Sequence, residues 1–469
     1  MWHGRFREDT AEIVQQFTQS LDLDWRLAPF DIYASIAHAR MLAEVKLITP
    51  EESGKIEEGL RQVLEEIRQG AYTPSLSLED VHMNIEARLT EIIGPVGAKL
   101  HTGRSRNDQS ATSVRLFLRK EMVGVGDGLL MLMDSLVDRA IAHRHIIVPG
   151  YTHLQQAQPI SMGHYWLAHF WAFARDFRRV LFALESINES PLGAGALAGS
   201  TLPLDRGYTA GLLGFEKVAE NSLDAVSHRD YLLDSQYALA VLMLHVSRMA
   251  EDLIIYSSRE FGWVELPDAF CTGSSMMPQK KNPDVLELIR GRSGRVVGDL
   301  VDLAVILKGL PLAYNRDMQE DKRALWTSLQ ITKDVLEVLP QLVARVDINE
   351  ERAASSFEDG FTLATDVAEY LVMKGVPFRE AHEKVGAAVR WCIDRYRALT
   401  DLKLQEWKDL IPEVEEDLMP LLNIEQSVNR RNTYGGTSFK QVALQIERGL
   451  ETLDQYRFRL AEYPARFSL

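Results

Sequence analysis

The sequence predicts an all-α protein built around a bundle of long helices, and three observations carry that expectation. Proline is missing between Pro95 and Pro149, between Pro203 and Pro267, and between Pro283 and Pro311. Proline removes a helical hydrogen bond and clashes with the preceding turn, so these stretches have room for uninterrupted rods. The stretch 231–260 contains Tyr237-Ala238-Leu239-Ala240-Val241-Leu242-Met243-Leu244, apolar on every side. A helix of about thirty residues spans about 45 Å. One that is apolar all round has to be covered on every face, which is what a bundle provides. Alternating runs of β-branched residues, the mark of half-buried strands, are scarce.

Taken in chain order, the first clear helix follows Thr49-Pro50-Glu51-Glu52. That tetrad reads as a capping box with proline at the first helical position. Ile56, Leu60, Val63, Leu64 and Ile67 then recur at spacings of three and four, and Gly70 closes the segment. A chain of 469 residues is too long for one compact core. The reading is an N-terminal helical domain over 1–104, the long-helix bundle over 105–354 and a smaller C-terminal helical domain over 355–469.

The bulk properties exclude several classes. A hydrophobic content of 46% with 25% charged residues is globular rather than disordered or fibrous. The formal charge of −15 provides no basic field to steer nucleic acid, yet local Lys and Arg still allow an anionic small substrate. No run of 18 apolar residues is present, so no membrane partner is expected. The N-terminus is mixed in charge and lacks an apolar h-region. Two cysteines, Cys271 and Cys392, make no disulfide framework and fit a reducing, cytoplasmic setting. His143, His145 and His153 have no supporting carboxylate or cysteine pattern for a metal.

The most informative segment is Gly273-Ser274-Ser275-Met276-Met277-Pro278-Gln279-Lys280-Lys281-Asn282-Pro283. Two hydroxyls, two ammonium groups and side-chain amides crowd a short loop in which Pro278 and Pro283 forbid a regular helix. The helical pattern resumes at Asp284-Val285-Leu286-Glu287. A donor-rich hook at a helix start is suited to gripping an anion.

This hook has the form GSSxMPxKxN and resembles the fumarase/aspartase superfamily of lyases. Further segments are similar to its argininosuccinate lyase branch, of which delta-crystallin is a relative. They include Trp2-His3-Gly4-Arg5-Phe6, His101-Thr102-Gly103-Arg104-Ser105-Arg106-Asn107-Asp108-Gln109 and Gly150-Tyr151-Thr152-His153-Leu154-Gln155. Others are Ser190-Pro191-Leu192-Gly193 with Gly195-Ala196-Leu197-Ala198-Gly199, and Gln319-Glu320-Asp321-Lys322. The hook fixes the superfamily; HTGRSRNDQ, GYTHLQ and QEDK point to the branch.

The resemblance implies an all-α homotetramer whose central domains merge, with each active site drawn from several chains. It implies reversible β-elimination of argininosuccinate to arginine and fumarate, the last step of arginine biosynthesis, through a carbanion and without metal or organic cofactor. Ser274 is then the base, Lys280 its positive surroundings, His153 the second proton partner and Glu287 the group that polarises His153. The opposite order, with His153 as base, stays open. Ser20, Asp24, His82, Arg106, Asn107, Thr152, Ser275, Asn282, Tyr314, Gln319 and Lys322 match substrate-binding positions, with Asp24 opposite a cation and Arg106 forking a carboxylate. Ser20 and Asp24 also admit simple helix capping. Arg104 reads as a solvated surface charge outside the site. Gln156 stands where the family usually has Arg. Alternatives are another fumarate-releasing lyase (adenylosuccinate lyase, fumarase or aspartase) and a catalytically silent crystallin-like protein.

Overall fold

A computed structural model describes residues 10–463, so the Trp2-His3-Gly4-Arg5-Phe6 segment lies outside the described residues. The chain is 69% helical with few, short strands. Five rods, numbered here in chain order, make the centre: α1 (Arg106–Ala142), α2 (Met162–Ile187), α3 (Asp230–Ser257), α4 (Asp284–Leu307) and α5 (Asp321–Val343). The first has 37 residues and the fourth 24, so at 1.5 Å per residue they run about 55 Å and about 36 Å. Neighbours in sequence lie side by side: α1 packs along α2 and α5, α3 along α2 and α4, and α4 along α5.

Local chemistry sets where the rods begin. Ser105 caps α1, and Asp108 returns its carboxylate to the Ser105 amide at 3.0 Å. Rod α4 starts at Asp284, directly after Pro283, where the prolines release the chain. The predicted capping box at Thr49 is present, with Glu52 N donating to Thr49 Oγ1 at 3.2 Å and Thr49 N to Glu52 Oε2 at 3.0 Å. It opens the helix Pro50–Arg68, and Gly70 follows at a φ of 67°.

One apolar core joins the bundle to the helices Ala28–Glu44, Pro50–Arg68 and Val81–Ile93. The closing helix Phe439–Ala461 returns to the same core through Val442, Ile446, Leu453 and Leu460. A second core gathers Val367, Leu371, Ala381, Cys392, Trp407 and Leu418. The apolar segment of α3 departs from expectation in one respect: Tyr237 and Leu244 remain 49% and 48% exposed within the chain.

The alternation of rods gives the bundle two ends. One end carries the start of α1, the start of α3 and the α4–α5 connection, tied by Arg229 Nε to Asp321 Oδ2 at 2.8 Å. The other carries an antiparallel hairpin, β1 (Ile147–Thr152) and β2 (Gln155–Ser161), and the loop before α4.

Replacing Thr49 with Ala removes one half of the capping box, a loss of about 1 kcal/mol. Amide exchange in the first turn of Pro50–Arg68 is expected to quicken roughly fivefold, read by hydrogen–deuterium exchange, with remote helices unchanged.

Candidate functional site

At the α4–α5 end a cavity of about 240 Å³ is lined by Ser20, Asp24, Glu79, Asp80, His82, Met83, Arg106, Asn107, Ser110, Tyr314, Arg316, Gln319 and Lys322. Eight of the sequence-predicted binding residues meet here, from segments separated by up to three hundred positions: Ser20, Asp24, His82, Arg106, Asn107, Tyr314, Gln319 and Lys322. The cavity is smaller than the range of about 300–1,000 Å³ usual for small-molecule pockets. A larger cleft of about 930 Å³ near Arg40 and Lys99 holds none of these residues. Four of its charges are paired, Arg40 with Glu57 at 2.8 Å and Lys99 with Glu52 at 2.5 Å.

The walls are held by short links. Ser20 Oγ donates to Asp24 Oδ2, so this pair joins two wall positions rather than capping the helix Leu21–Asp24. Gln319 Nε2 donates to Gln19 O at 3.1 Å, and Arg316 Nη2 to Thr18 O at 2.6 Å, which docks the α4–α5 connection on the N-terminal segment. Arg106 is not an idle fork: Nη1 donates to Gln109 Oε1 at 2.8 Å and Nη2 to Glu86 Oε2 at 3.1 Å. Asn107 Nδ2 donates to Ala196 O at 3.0 Å.

Charge is balanced inside this wall. Burial pushes the Asp24 carboxyl up, with Lys322 and the Ser20 hydroxyl working against the rise. Asp24 Oδ1 is buried without a hydrogen-bond partner. Burial also works against the Lys322 ammonium, but Asp321, at 2.9 Å, and Asp24 outweigh it and hold the group above the usual lysine value. Arg104 corrects the sequence reading: it is only 7% exposed, and its Nη1 donates to Ser35 Oγ at 2.8 Å. The HTGRS turn folds back on the helix Ala28–Glu44, so the charge that a loop would have left in water is buried. Two further groups were not singled out in the sequence. Asp31 pairs with His82 behind the cavity, and Arg316 lines it; neither stands in a pattern that a single sequence distinguishes from an ordinary helical charge.

The hook lies at the other end. Thr272 pairs with Asn282 and Gly273 with Lys281, so the loop 274–280 closes a short antiparallel ribbon. Ser274 Oγ accepts from the amides of Met276 at 3.2 Å and Met277 at 3.0 Å. Ser275 and Lys280 are exposed, and Lys280, Asn282 and Glu287 line a cavity of about 490 Å³ with Cys271, Ser257 and Arg259. Thr152 and His153 are exposed at the tip of the β1–β2 hairpin. His153 and Leu154 form its two-residue turn, with φ of 57° and 56°, the left-handed pair that a primed turn requires. Such residues cost about 1–3 kcal/mol each and persist where the surroundings enforce them. Here Tyr151, one pair below the turn, packs on Tyr256 and Phe261.

The hook cavity and the eight-residue cavity share no lining residue. Among the described residues no ion pair joins His153 to Glu287 within the chain. The chain thus carries the predicted site residues in two groups a rod apart.

Comparison with known proteins places these parts. Residues 4–298 match the family model described as Lyase, and residues 361–429 the model described as Argininosuccinate lyase C-terminal. The argininosuccinate lyase of Geobacter metallireducens is 49% identical over 448 residues, covering 96% of this chain and 98% of that one. That of Hahella chejuensis is 49% identical over 453 residues, covering 97% of each.

The chain belongs to the argininosuccinate lyase family.

Solved structures agree with this membership. EDDS lyase in complex with formate superposes with a TM-score of 0.86 at 30% identity, covering 94% of this chain and 88% of that one. A variant of EDDS lyase with bound fumarate gives 0.85 at 29% identity, covering 97% and 92%. At 17% identity, the 3-carboxy-cis,cis-muconate lactonizing enzyme of Pseudomonas putida shares the fold, with a TM-score of 0.74 over 95% of this chain and 100% of that one. Gln156 Nε2 donates to Ser356 O at 2.5 Å and ties the hairpin to the chain beyond α5.

Asp108 fixes the remaining family loop. Its Oδ2 accepts from the amides of Gly193 at 3.0 Å and Gly195 at 2.8 Å, residues with φ of 85° and 65° that only glycine adopts readily. Burial lifts the Asp108 carboxyl to about 6, although the backbone amides and Arg104 oppose the rise. An unfolded aspartate titrates near 3.8, so between these values the folded chain holds a proton that the unfolded chain has lost. The contribution of Asp108 to stability therefore grows as pH falls through about 6 and is lost as pH rises again. Compared with Asp108→Asn, which is neutral throughout, the parent is expected to gain stability between about pH 7 and about pH 5, read from urea midpoints.

Proposed function

We propose that this protein cleaves argininosuccinate reversibly to L-arginine and fumarate, and that it does so as a cytoplasmic homotetramer whose sites are shared between chains. The observation that carries the reading is the convergence of eight family binding positions on one cavity. The orphaned Asp24 Oδ1 supplies an acceptor for a cationic guanidino group. Arg106, His82 and Lys322 supply positive charge for carboxylates on the other side.

The reaction removes a proton from the carbon beside a carboxylate and expels a guanidino nitrogen from its neighbour. Charge from the broken C–H bond flows into that carboxylate, so fixed donors around it lower the barrier most. The hook has the donors for this: backbone amides near Ser275, the Lys280 ammonium and the Asn282 amide. Ser274 takes the carbon-bound proton, its alkoxide favoured by Lys280. His153, polarised by Glu287, gives a proton to the departing nitrogen. Thr152 sits next to His153 on the hairpin and completes the contacts.

Sharing between chains follows from lengths. The hook precedes α4 and the eight-residue cavity follows it, so about 36 Å of rod separates them. An antiparallel neighbour brings the hook of one chain to the cavity of another. The surface of α4 supports such a neighbour. Gly291, Gly294 and Gly298 are exposed with open space where a Cβ would stand, and Val301 and Val305 continue the stripe at 60% and 56% exposure. Each exposed mid-helix glycine costs about 1 kcal/mol relative to alanine, a cost offset when another backbone packs closely there. Tyr237 and Leu244 on α3 gain the same kind of cover.

Two outcomes check the proposal. Ser274→Ala should lower the rate of fumarate release, followed by ultraviolet absorbance, by roughly 10²–10⁴ while native mass spectrometry still finds tetramers; full activity would assign the base to another group. Mixing Ser274→Ala chains with His153→Asn chains should restore part of the activity, because some sites in a hybrid take both intact residues. Confirmed hybrids with no recovery would contradict shared sites, and cleavage of adenylosuccinate in place of argininosuccinate would contradict the substrate.

A further inference from the structure

His82 is buried in the cavity wall at 3% exposure, and Asp31 lies behind it at 1%. Asp31 Oδ1 stands 2.8 Å from His82 Nδ1. The same oxygen accepts from Gln109 Nε2 at 2.8 Å and Ser113 Oγ at 3.3 Å, both on α1. A carboxylate held from α1 thus fixes the ring of a histidine on the helix Val81–Ile93. Asp31 itself lies on Ala28–Glu44 and lines no part of the cavity. Nδ1 is engaged by the Asp31 ion pair without an aligned hydrogen bond, and among the described residues no protein acceptor bonds Nε2, the nitrogen left for the cavity.

The other cations of the cavity are committed to protein acceptors. Lys322 donates to Asp321, Arg316 to Glu79 and Thr18, and Arg106 to Glu86 and Gln109. Resting on the function proposed above, we infer that Asp31 is a positioning residue: it orients His82 and keeps it cationic, so that Nε2–H donates to a carboxylate of the substrate. The charged groups that act on His82 come from several elements. Burial disfavours its charged form and Arg106 opposes it from α1, but Asp31 and Asp80 outweigh both and hold the imidazole above its ordinary value. Asp24 and His101 also feel the His82 charge, from the N-terminal segment and the turn before α1. Burial alone would push Asp31 up, yet His82, Arg104 and Gln109 hold it well below the usual carboxylate range. The pairing therefore favours the carboxylate–imidazolium form, and the His82 charge is lost as pH rises through its raised value.

Steady-state kinetics with argininosuccinate from about pH 6 to about pH 9 test this in the parent, Asp31→Asn, His82→Gln and the double variant. Asp31→Asn lowers the His82 pKa, so KM is expected to rise about tenfold at the alkaline end, the equivalent of one lost charge-assisted contact. It should recover toward the parent as pH falls, with kcat changing less. In the His82→Gln background Asp31→Asn should add nothing. A KM loss equal at every pH, or one that persists in that background, would reduce Asp31 to a structural role and overturn the inference. Should Asp31→Asn fail to assemble, histidine NMR of the parent decides: the signal lost in His82→Gln should be an imidazolium near neutral pH, and a neutral ring overturns the proposal. That readout holds even if argininosuccinate is not cleaved, so failure of the function and failure of the positioning role are told apart.

Discussion

A helix adds 1.5 Å per residue whatever its sequence, and the length of five rods governs everything else in this molecule. Residues that follow one another closely in the family motifs are thrown to opposite ends of the bundle. Arg106 opens α1 and His153 turns the chain after it; the hook opens α4 and Tyr314 turns the chain after that. The two ends are then specialised. One collects buried, mutually paired charges from the N-terminal segment, the start of α1 and the α4–α5 connection. The other presents exposed, donor-rich loops, to which the proposed mechanism assigns the proton transfers. On the shared-site proposal, the apolar stripe along α4 gives the physical reason for the ends of different chains to meet.

The contrast between the ends has its own logic. A binding half-site that recognises a substrate carrying both signs of charge needs buried carboxylates and cations close together without collapse. Here charges are tied to partners from other elements, Asp31 to His82, Asp321 to Arg229 and Asp108 to the glycine amides, while Lys322 pairs with its neighbour Asp321. Such pairs are costly to break singly, because the remaining partner is left buried and uncompensated. They therefore fix geometry more than they add stability. The hook needs the reverse. Under the proposed mechanism its exposed hydroxyls and ammonium act once substrate and a neighbouring chain surround them in a water-poor setting.

Much of this was legible in the sequence, for identifiable reasons. Rods α1, α3 and α4 lie in the proline-free stretches, though α5 carries Pro340, and Pro283 marks the start of α4 to the residue. The Thr49 capping box is a local pattern with a local cause, and the structure reproduces it. Ser20, His82, Arg106 and Lys322 could be nominated from the segments they sit in. That eight of them share one cavity was not readable, since it depends on helices packing across three hundred positions. Arg104 and Asp31 show where reading fails. A charge on a helix or turn looks solvated until its neighbours are known, and Ser35, His82 and Gln109 are distant in sequence. The left-handed pair at His153 and Leu154 was equally hidden, because neither residue announces a primed turn as Asn-Gly does.

The most direct measurement is a crystal structure of the Ser274→Ala tetramer with argininosuccinate bound. The account predicts one ligand bridging the Asp24–His82–Lys322 cavity of one chain and the Lys280–Asn282 hook of another, with His153 nearby on a hairpin from a neighbouring chain. A ligand held by the cavity and hook of the same chain, or one bound with every hook turned away, would contradict it.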